Sequence, residues 1–384
     1  MIDRINAPTA ETMAAARRMA TTAPTLVAAG LLCESLAVPD RTLFHAGPPY
    51  SSAAEAPVCV VNAAAAVAVA EGWASSLPEA RDAVRGGPVR LSPAQSIGLV
   101  VPLAFVAGPS TAILTVECRV TGASGHAPLN DGPPDVATRF GAPTDAAVSH
   151  LRMLSERGAP ALDRALKANP IPLAHIAATA LRQGDELHAS VAAANALLLE
   201  ALFPAVFDAE VEAYLASAGQ FFLNAWMAAS LTMLNAGADA PGSTLVCGAG
   251  ANGVRAGLRV SADRTSWLEQ SAARPNGPRF SDDLITVDTA PAIGDSAVIE
   301  AAGFGARTVR FAPAVREAFA PFRDALPTDS ASGLAAHPAF AELKVGTDFA
   351  ALGPDAPMPA HFAMLDAAGE HGLIGRGTLD FWSR

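Results

Sequence analysis

The spacing of apolar positions divides the chain into three regions. Up to about residue 145, short apolar runs alternate with Gly/Pro turns. Val58–Asn62 reads there as a buried strand, Ala63–Ser75 as a small-residue helix packed on it, and Ile113–Arg119 as a further strand. From about 146 to 237 the apolar residues recur three and four apart, which is helical period. Helices are predicted over Asp145–Arg157, Pro160–Ala168, Leu173–Leu181, Asp185–Phe203, Asp208–Ala216 and Gln220–Ala236. Gly158-Ala-Pro160, Asn169-Pro170, Gln183-Gly184 and Pro204 break them, and Gly237 closes the last. After Gly242 strands return: Ser243–Cys247 and Val254–Ser261 flank a turn, and Leu284–Asp288 is another. Asp295 or Ser296 caps a short helix ending at Gly303-Phe-Gly305, and Pro313–Ala325 is helical before a loop-rich tail.

Helical and mixed regions are segregated rather than alternating, so the pattern predicts an α+β fold. Its units are two mixed α/β domains, residues 1–145 and 238–384, with an intervening all-helical domain at 146–237. A chain of 384 residues is long enough for two or three domains and a large core. The uncharged run Ile97–Val116 has the length of a membrane span, but Gly98, Pro102, Gly108, Pro109 and Ser110 punctuate it. Two short buried strands around a Gly-Pro turn fit it better, and no membrane span is expected. The first 30 residues do not read as a secretory signal, because Arg17-Arg18 interrupts them and the apolar run Leu26–Leu32 is short.

Composition narrows the function classes. Net charge is −11 and no Lys/Arg stripe occurs, so nucleic-acid binding is not expected. An anionic substrate needs a local positive site built against that field. Cys33, Cys59, Cys118 and Cys247 are scattered without a C-x-x-C pair, which reads as buried reduced thiols in a cytoplasmic protein. His361, Glu370 and His371 lack metal-ligand spacing, and no metal site is expected.

Chemistry concentrates in a few segments. Gly184-Asp-Glu-Leu-His188 packs two carboxylates and an imidazole together in a chain that is only 16% charged. On a helix Asp185 and His188 share a face, where the carboxylate would orient the imidazole and raise its basicity. Asp185 is equally an N-cap in an acidic first turn. Gly248-Ala-Gly-Ala-Asn-Gly253 matches G-x-G-x-x-G, but strand-period sequence follows it and Asn252-Gly253 is a hairpin turn, so a hairpin is favoured over nucleotide binding. His45-Ala-Gly-Pro-Pro49 puts an imidazole before a rigid turn, suited to a site loop or to a structural turn. Leu129-Asn-Asp-Gly-Pro-Pro134 and Arg139-Phe-Gly141 bring an amide, a carboxylate and a guanidinium close. Arg139 suits a planar carboxylate or phosphate, or an ion pair with Asp131 or Asp135. The amides of Gln220-Phe-Phe-Leu-Asn224 need a partner, either a ligand or another helix. Gly294-Asp-Ser-Ala297 is a capping sequence and an anion or amide site in the alternative.

Taken in order, these segments, with Thr42–Pro49, Glu71-Gly-Trp-Ala74 and Gly375-Arg-Gly-Thr378, make the chain resemble the YlbE/AllG-like family, also called domain of unknown function 1116. The likeness runs from about residue 40 to 380. The resemblance implies two α+β domains with a helical domain between them. It implies a subunit of an oxamate-carbamoyltransferase-like enzyme of allantoin catabolism, working without a cofactor beside an FdrA-like subunit and other co-encoded subunits. A homo-oligomer is compatible with it. The implied chemistry is reversible carbamoyl transfer between phosphate and the amide nitrogen of oxamate. Such a site holds a small anionic substrate, stabilises an oxyanion and manages a proton on nitrogen. On this resemblance His45 and His188 are acid/base or orienting groups and Asp185 orients His188. Glu186 binds an amide donor, Arg139 takes an anion, and Asn130, Asn224 and Asn252 supply amide contacts. Asp295 is a polar anchor at its helix start.

The chain departs from the family pattern at polar positions. The Asp-Glu-x-His motif there continues Arg-Asn, where this chain has Ser190 and Val191. Leu231 stands for a Lys and Ala251 for an Arg. Gln95-Ser96 replaces a His pair, Val101–Phe105 a Gly-Pro-Met-Gly-Gly stretch, and Leu365–Gly369 an Asn-Thr-Gly loop. Two rivals therefore stand beside the transferase: a scaffold or regulatory subunit that kept only the fold, and an enzyme re-tasked to another acyl or amide transfer.

Overall fold

The computed structural model describes residues 7–133, 136–141, 144–322 and 333–383. Pro134, Asp135 and the last three residues of the expected helix Pro313–Ala325 lie outside them. The helix Phe221–Gly237 is the organising element. It is apolar around its circumference, which only burial on all sides can satisfy, and it is buried along nearly its whole length. It packs on an antiparallel sheet of four strands in the order Ser124–Pro128, Ala112–Glu117, Thr25–Leu31, Ile171–Pro172. It also touches a second four-stranded antiparallel sheet, ordered Ile293–Gly294, Val246–Asn252, Arg255–Val260, Asp263–Ser271. Trp226 anchors the junction, stacked on Phe222 at 5.7 Å and edge-on to Phe304 at 5.0 Å.

Helices and sheets are thus mixed as α+β. The three pattern-defined regions share one core that draws buried residues from Ala15 to Trp382. The helix Ala159–Ala168 packs on the strand Thr25–Leu31, and the two-residue strand Ile171–Pro172 lies inside the segment read as all-helical.

Several elements differ from the pattern. Val58–Ala70 is one helix, not a strand and a helix, because alanines let a fully buried helix pack as closely as a strand. The helices Asp145–Met153 and Ala159–Ala168 join through a π-turn at Leu154–Gly158 instead of breaking at Gly158-Ala-Pro160, since a proline at the first helical turn needs no N–H. Leu284–Asp288 is not a strand; a 3-10 turn covers Asp282–Leu284. The tail read as loops carries four strands, Ala335–His337, Phe340–Val345, Met358–Leu365 and Leu373–Trp382. Of the two strands expected within Ile97–Val116, the second is Ala112–Glu117. The first is an extended stretch held by isolated bridges Leu99–His126 and Phe44–Ala107. Among the described residues no helix is long and apolar enough to cross a membrane. Cys33 is exposed, unlike the other three cysteines.

The G-x-G stretch is part of the strand Val246–Asn252, and Gly253 turns the chain at φ +84° into Arg255–Val260 as a hairpin. Its glycines serve close packing. A Cβ on Gly250 would stand 2.3 Å from Asp295 Oδ1, and one on Gly248 would stand 2.5 Å from Arg259 Nε.

Candidate functional site

The helix start at Gln220–Asn224, the 3-10 turn Thr138–Phe140, the loop 185–191 and the strand pair Met358–Leu365/Leu373–Trp382 converge on a cavity of about 570 Å³, part of it open to solvent. Its polar lining is Arg139, His188, Gln220, Asn224, Ser296, His361 and Arg376. Leu103, Leu223, Phe319 and Phe362 supply apolar wall. Arg139 and Arg376 thus place two cations and several hydrogen-bonding groups in a partly apolar cleft of a protein of negative net charge.

The segment Asp185–Val191 is a loop, and the helix begins only at Ala192. Side-chain bonds to the local backbone displace the helix there. Glu186 Oε1 accepts from the backbone N–H of His188 (3.1 Å) and of Ser190 (2.7 Å). Asp185 accepts from Ser190 Oγ (2.8 Å) and from Ala194 N–H (2.9 Å), so it caps the following helix from a distance. Leu187 takes φ +73° in between. Asp185 therefore does not orient His188, and the two do not share a helix face.

The carboxylate that holds His188 is Glu300, with Nδ1 to Oε1 at 2.6 Å and both side chains buried. Glu300 comes from the short helix Val298–Ala302, which Gly303 ends at φ +113°. Gly305 lets the chain pass over this carboxylate, because a Cβ there would lie 2.4 Å from Oε1. Burial pushes His188 down, but Glu300 and then Glu186 outweigh it and raise the imidazole above its ordinary range. Burial pushes Glu186 up, yet His361 and His188 with the Ser190 N–H bring it below the ordinary carboxylate range. His361 Nδ1 stands 3.4 Å from Glu186 Oε2, outside hydrogen-bond geometry.

On the opposite wall Arg139 is held rigidly. Its guanidinium donates to Asp131 Oδ1 (2.5 Å) and Asn130 Oδ1 (2.8 Å) and lies 4.8 Å over the Phe140 ring. Asn224 closes the ring of bonds by donating to Asp131 Oδ2 (3.0 Å) and accepting from Asn130 Nδ2 (2.9 Å). A buried guanidinium with its carboxylate and amides in place is preorganised rather than free to collapse onto solvent.

Of the residues singled out in the sequence, Arg139, His188 and Asn224 line the cavity. Asn130 and Glu186 stand behind them, bonded to Arg139 and Asn224 and to His188. His45, Asn252 and Asp295 are elsewhere, around the turn at Gly47. His45 Nδ1 donates to Ala46 O at 2.7 Å, and burial lowers the ring to about 4. Asn252 donates to Pro48 O and accepts from Val254 and Arg255 N–H, as a hairpin cap. Asp295 accepts from Gly47 N–H (2.9 Å), Gln95 Nε2 (2.6 Å) and Val101 N–H (3.1 Å), and burial raises it to about 6. It does not cap the helix Val298–Ala302, which has no side-chain cap. It anchors the Gly47 turn to the segment that leads to Pro102 in the cavity wall.

Glu300, His361 and Arg376 were not among the expected site residues. In the sequence His361 invites only a metal reading, which its spacing does not support. Met358–Leu365 is apolar except for His361 and buried on both faces apart from Ala363, so no alternation in the sequence marks His361 as facing the cavity. Arg376 lay within Gly375-Arg-Gly-Thr378, one of the segments of the family resemblance.

The family profile described as "Oxamate carbamoyltransferase subunit AllG" matches residues 89–296. The Escherichia coli K12 protein of that name is 30% identical over 285 residues, which cover 72% of this chain and 67% of that protein. The uncharacterized Escherichia coli K12 protein YahG is 30% identical over 286 residues, 72% of this chain and 60% of its own length. A crystal structure of a conserved protein of unknown function from Enterococcus faecalis V583 superposes with a TM-score of 0.85 at 26% identity, covering 97% of this chain and 96% of the other.

Proposed function

This chain belongs to the oxamate carbamoyltransferase subunit AllG family, as a divergent member, and from that premise we propose that it is a catalytic subunit for carbamoyl transfer on a small amide or carboxylate substrate. The support is the meeting, on one cavity, of His188 seated on Glu300 and Arg139 seated on Asp131 and Asn130. Arg139 and Arg376 take the anionic oxygens of the substrate, and Asn224 and Gln220 meet its amide. Asn130 and Glu186 hold the groups that make contact.

In the forward step the oxamate nitrogen attacks the carbamoyl carbon of carbamoyl phosphate. The new N–C bond forms, the bond from that carbon to the phosphate oxygen breaks, and the nitrogen's proton leaves with the phosphate. His188, kept protonated by Glu300, gives a proton to the departing phosphate and regains one from the nitrogen. The charge that develops on the carbamoyl oxygen and the departing phosphate falls to the arginines. FdrA-like and other co-encoded subunits complete the enzyme.

The runner-up is a subunit that keeps the fold without chemistry. It is favoured by Leu231 and Ala251, which stand fully buried where the family pattern has cations. The test is phosphate release and ureido-product formation from carbamoyl phosphate and oxamate, with this chain alone, with its co-encoded subunits, and with His188→Ala. Turnover that needs the chain and collapses in His188→Ala supports the catalytic reading. Turnover indifferent to His188→Ala would point to the scaffold, and none in any combination would point to a different substrate.

A further inference from the structure

His361 is 2% exposed, lines the cavity, and among the described residues has no hydrogen-bond partner on either ring nitrogen. A buried polar atom left without a partner is destabilising, so one in a cavity wall points to a ligand. The groups around it are all in place. Its backbone N–H donates to Glu300 Oε1 at 3.1 Å, the same oxygen that holds His188. Its ring packs 4.8 Å from the Phe319 ring and 6.3 Å from His188. Glu186 Oε2, buried and without a hydrogen bond among the described residues, stands 3.4 Å from Nδ1.

Glu186 Oε2 is a carboxylate oxygen 3.4 Å from Nδ1, a contact that favours a proton over a lone pair on that nitrogen and so, in the neutral ring, leaves the lone pair on Nε2. A lone pair repels a carboxylate oxygen and accepts an N–H. The neighbouring ring has the opposite character: His188 has two carboxylates beside it, which favour its doubly protonated form and leave it a donor. A donor beside an acceptor is the complement of a primary amide, whose oxygen accepts and whose nitrogen donates. Arg139 and Arg376 line the same cavity as donors for an anionic group.

We propose that His361 is a specificity-determining residue that accepts an N–H from a ligand carrying both a primary amide and a carboxylate. The inference rests on the function proposed above and adds to it the group that tells the amide from its carboxylate isostere. A site built around a hydrogen bond rejects an analogue lacking the donor far more strongly than a hydrophobic pocket rejects a missing methylene.

The test is calorimetric titration with oxamate and with oxalate, on the chain alone and with its co-encoded subunits, in the unaltered protein and in His361→Phe. The ratio of oxamate to oxalate affinity is expected to fall about tenfold or more in His361→Phe. Arg139→Lys is expected to weaken both ligands without changing that ratio. An unchanged ratio in His361→Phe would overturn the inference alone. Failure of oxamate to bind the unaltered protein in either setting would overturn the functional reading and the inference with it. A second measurement needs no substitution: the assigned ring nitrogens of His361 should shift in the NMR spectrum when oxamate is added, and unmoved resonances would count against the role.

Discussion

Nδ1 of His188 and Oε1 of Glu300 lie 2.6 Å apart although 112 residues separate them in the chain. The pair joins the loop 185–191 to the helix Val298–Ala302 at the cavity wall, and it sets the charge of the imidazole. Glu300→Gln keeps the size of the partner and removes its charge. The His188 titration is expected to move down, because burial then acts with less opposition. The stability profile follows with a definite sign. His188 is raised in the folded state, so its contribution is complete below the unfolded value of 6.5 and is lost as pH rises through the folded value. Glu300→Gln should flatten that alkaline loss and destabilise the protein by up to about 3–5 kcal/mol at pH 6. Melting temperatures between pH 6 and 8, with the histidine NMR titration, check both.

Gly305→Ala tests the same pair from the backbone. The added Cβ would meet Glu300 Oε1 at 2.4 Å and His188 Cβ at 3.1 Å, at a φ of +61°. Overpacking and left-handed strain together are expected to cost about 2–4 kcal/mol. The more specific expectation is that the variant displaces the carboxylate and lowers the His188 titration as Glu300→Gln does. A variant that lost stability while His188 titrated unchanged would show that Gly305 does not govern the pair.

What the sequence revealed depended on how local the signal was. Four of the six helices of the middle region were legible within one residue, since their breakers and apolar period are local. Asp145–Arg157 instead runs on through the π-turn at Leu154–Gly158, and the head of the Ala192–Leu202 helix was lost to Asp185 and Glu186, whose side chains bond backbone N–H groups and hold a loop open. The strands after residue 333 were missed because they lack a clean apolar–polar alternation, with histidine, threonine and glycine mixed among apolar residues. In the site, Arg139, His188 and Asn224 could be named from motif chemistry. Glu300 and His361 could not, because each owes its place to a long-range contact and neither sits in a motif. His45 and Asp295 were named for their chemistry, but the Nδ1 of His45 bonds Ala46 O, and backbone groups of the Gly47 turn and the Val101 segment hold the Asp295 carboxylate, away from the cavity.

Arg139 engages Asp131 and Asn130 through one guanidinium nitrogen, Nη1, which leaves the rest of the planar group for a ligand. In Arg139→Lys the single ammonium can sit on the same two partners but leaves no second nitrogen to face the ligand. Affinity for oxamate is expected to fall about tenfold or more, with a smaller loss of thermal stability. Arg139→Ala should be worse on both counts, because Asp131 is then buried without its partner, at about 3–5 kcal/mol. Parallel calorimetry and thermal melts of the two variants would expose the error if Lys bound as well as Arg.

His45→Gln separates the Gly47 turn from the cavity. The neutral ring of His45 is buried and its value is lowered to about 4, against 6.5 in the unfolded chain. A lowered value means that its contribution is complete above 6.5 and is lost as pH falls toward 4. By pH 5 the loss is on the order of 2 kcal/mol. Asp295, raised to about 6 from 3.8, acts in the opposite sense: its contribution is complete below 3.8 and is lost as pH rises through 6. On acidification from 6.5 to 4 the two therefore offset one another in the wild type. Gln can donate to Ala46 O as the ring does and takes up no proton, so His45→Gln should gain stability relative to wild type as pH falls from 7 to 5. Its turnover with the co-encoded subunits should stay within about threefold of wild type, because the ring is outside the cavity. Loss of turnover in a variant that melts normally at pH 7 would return His45 to the site.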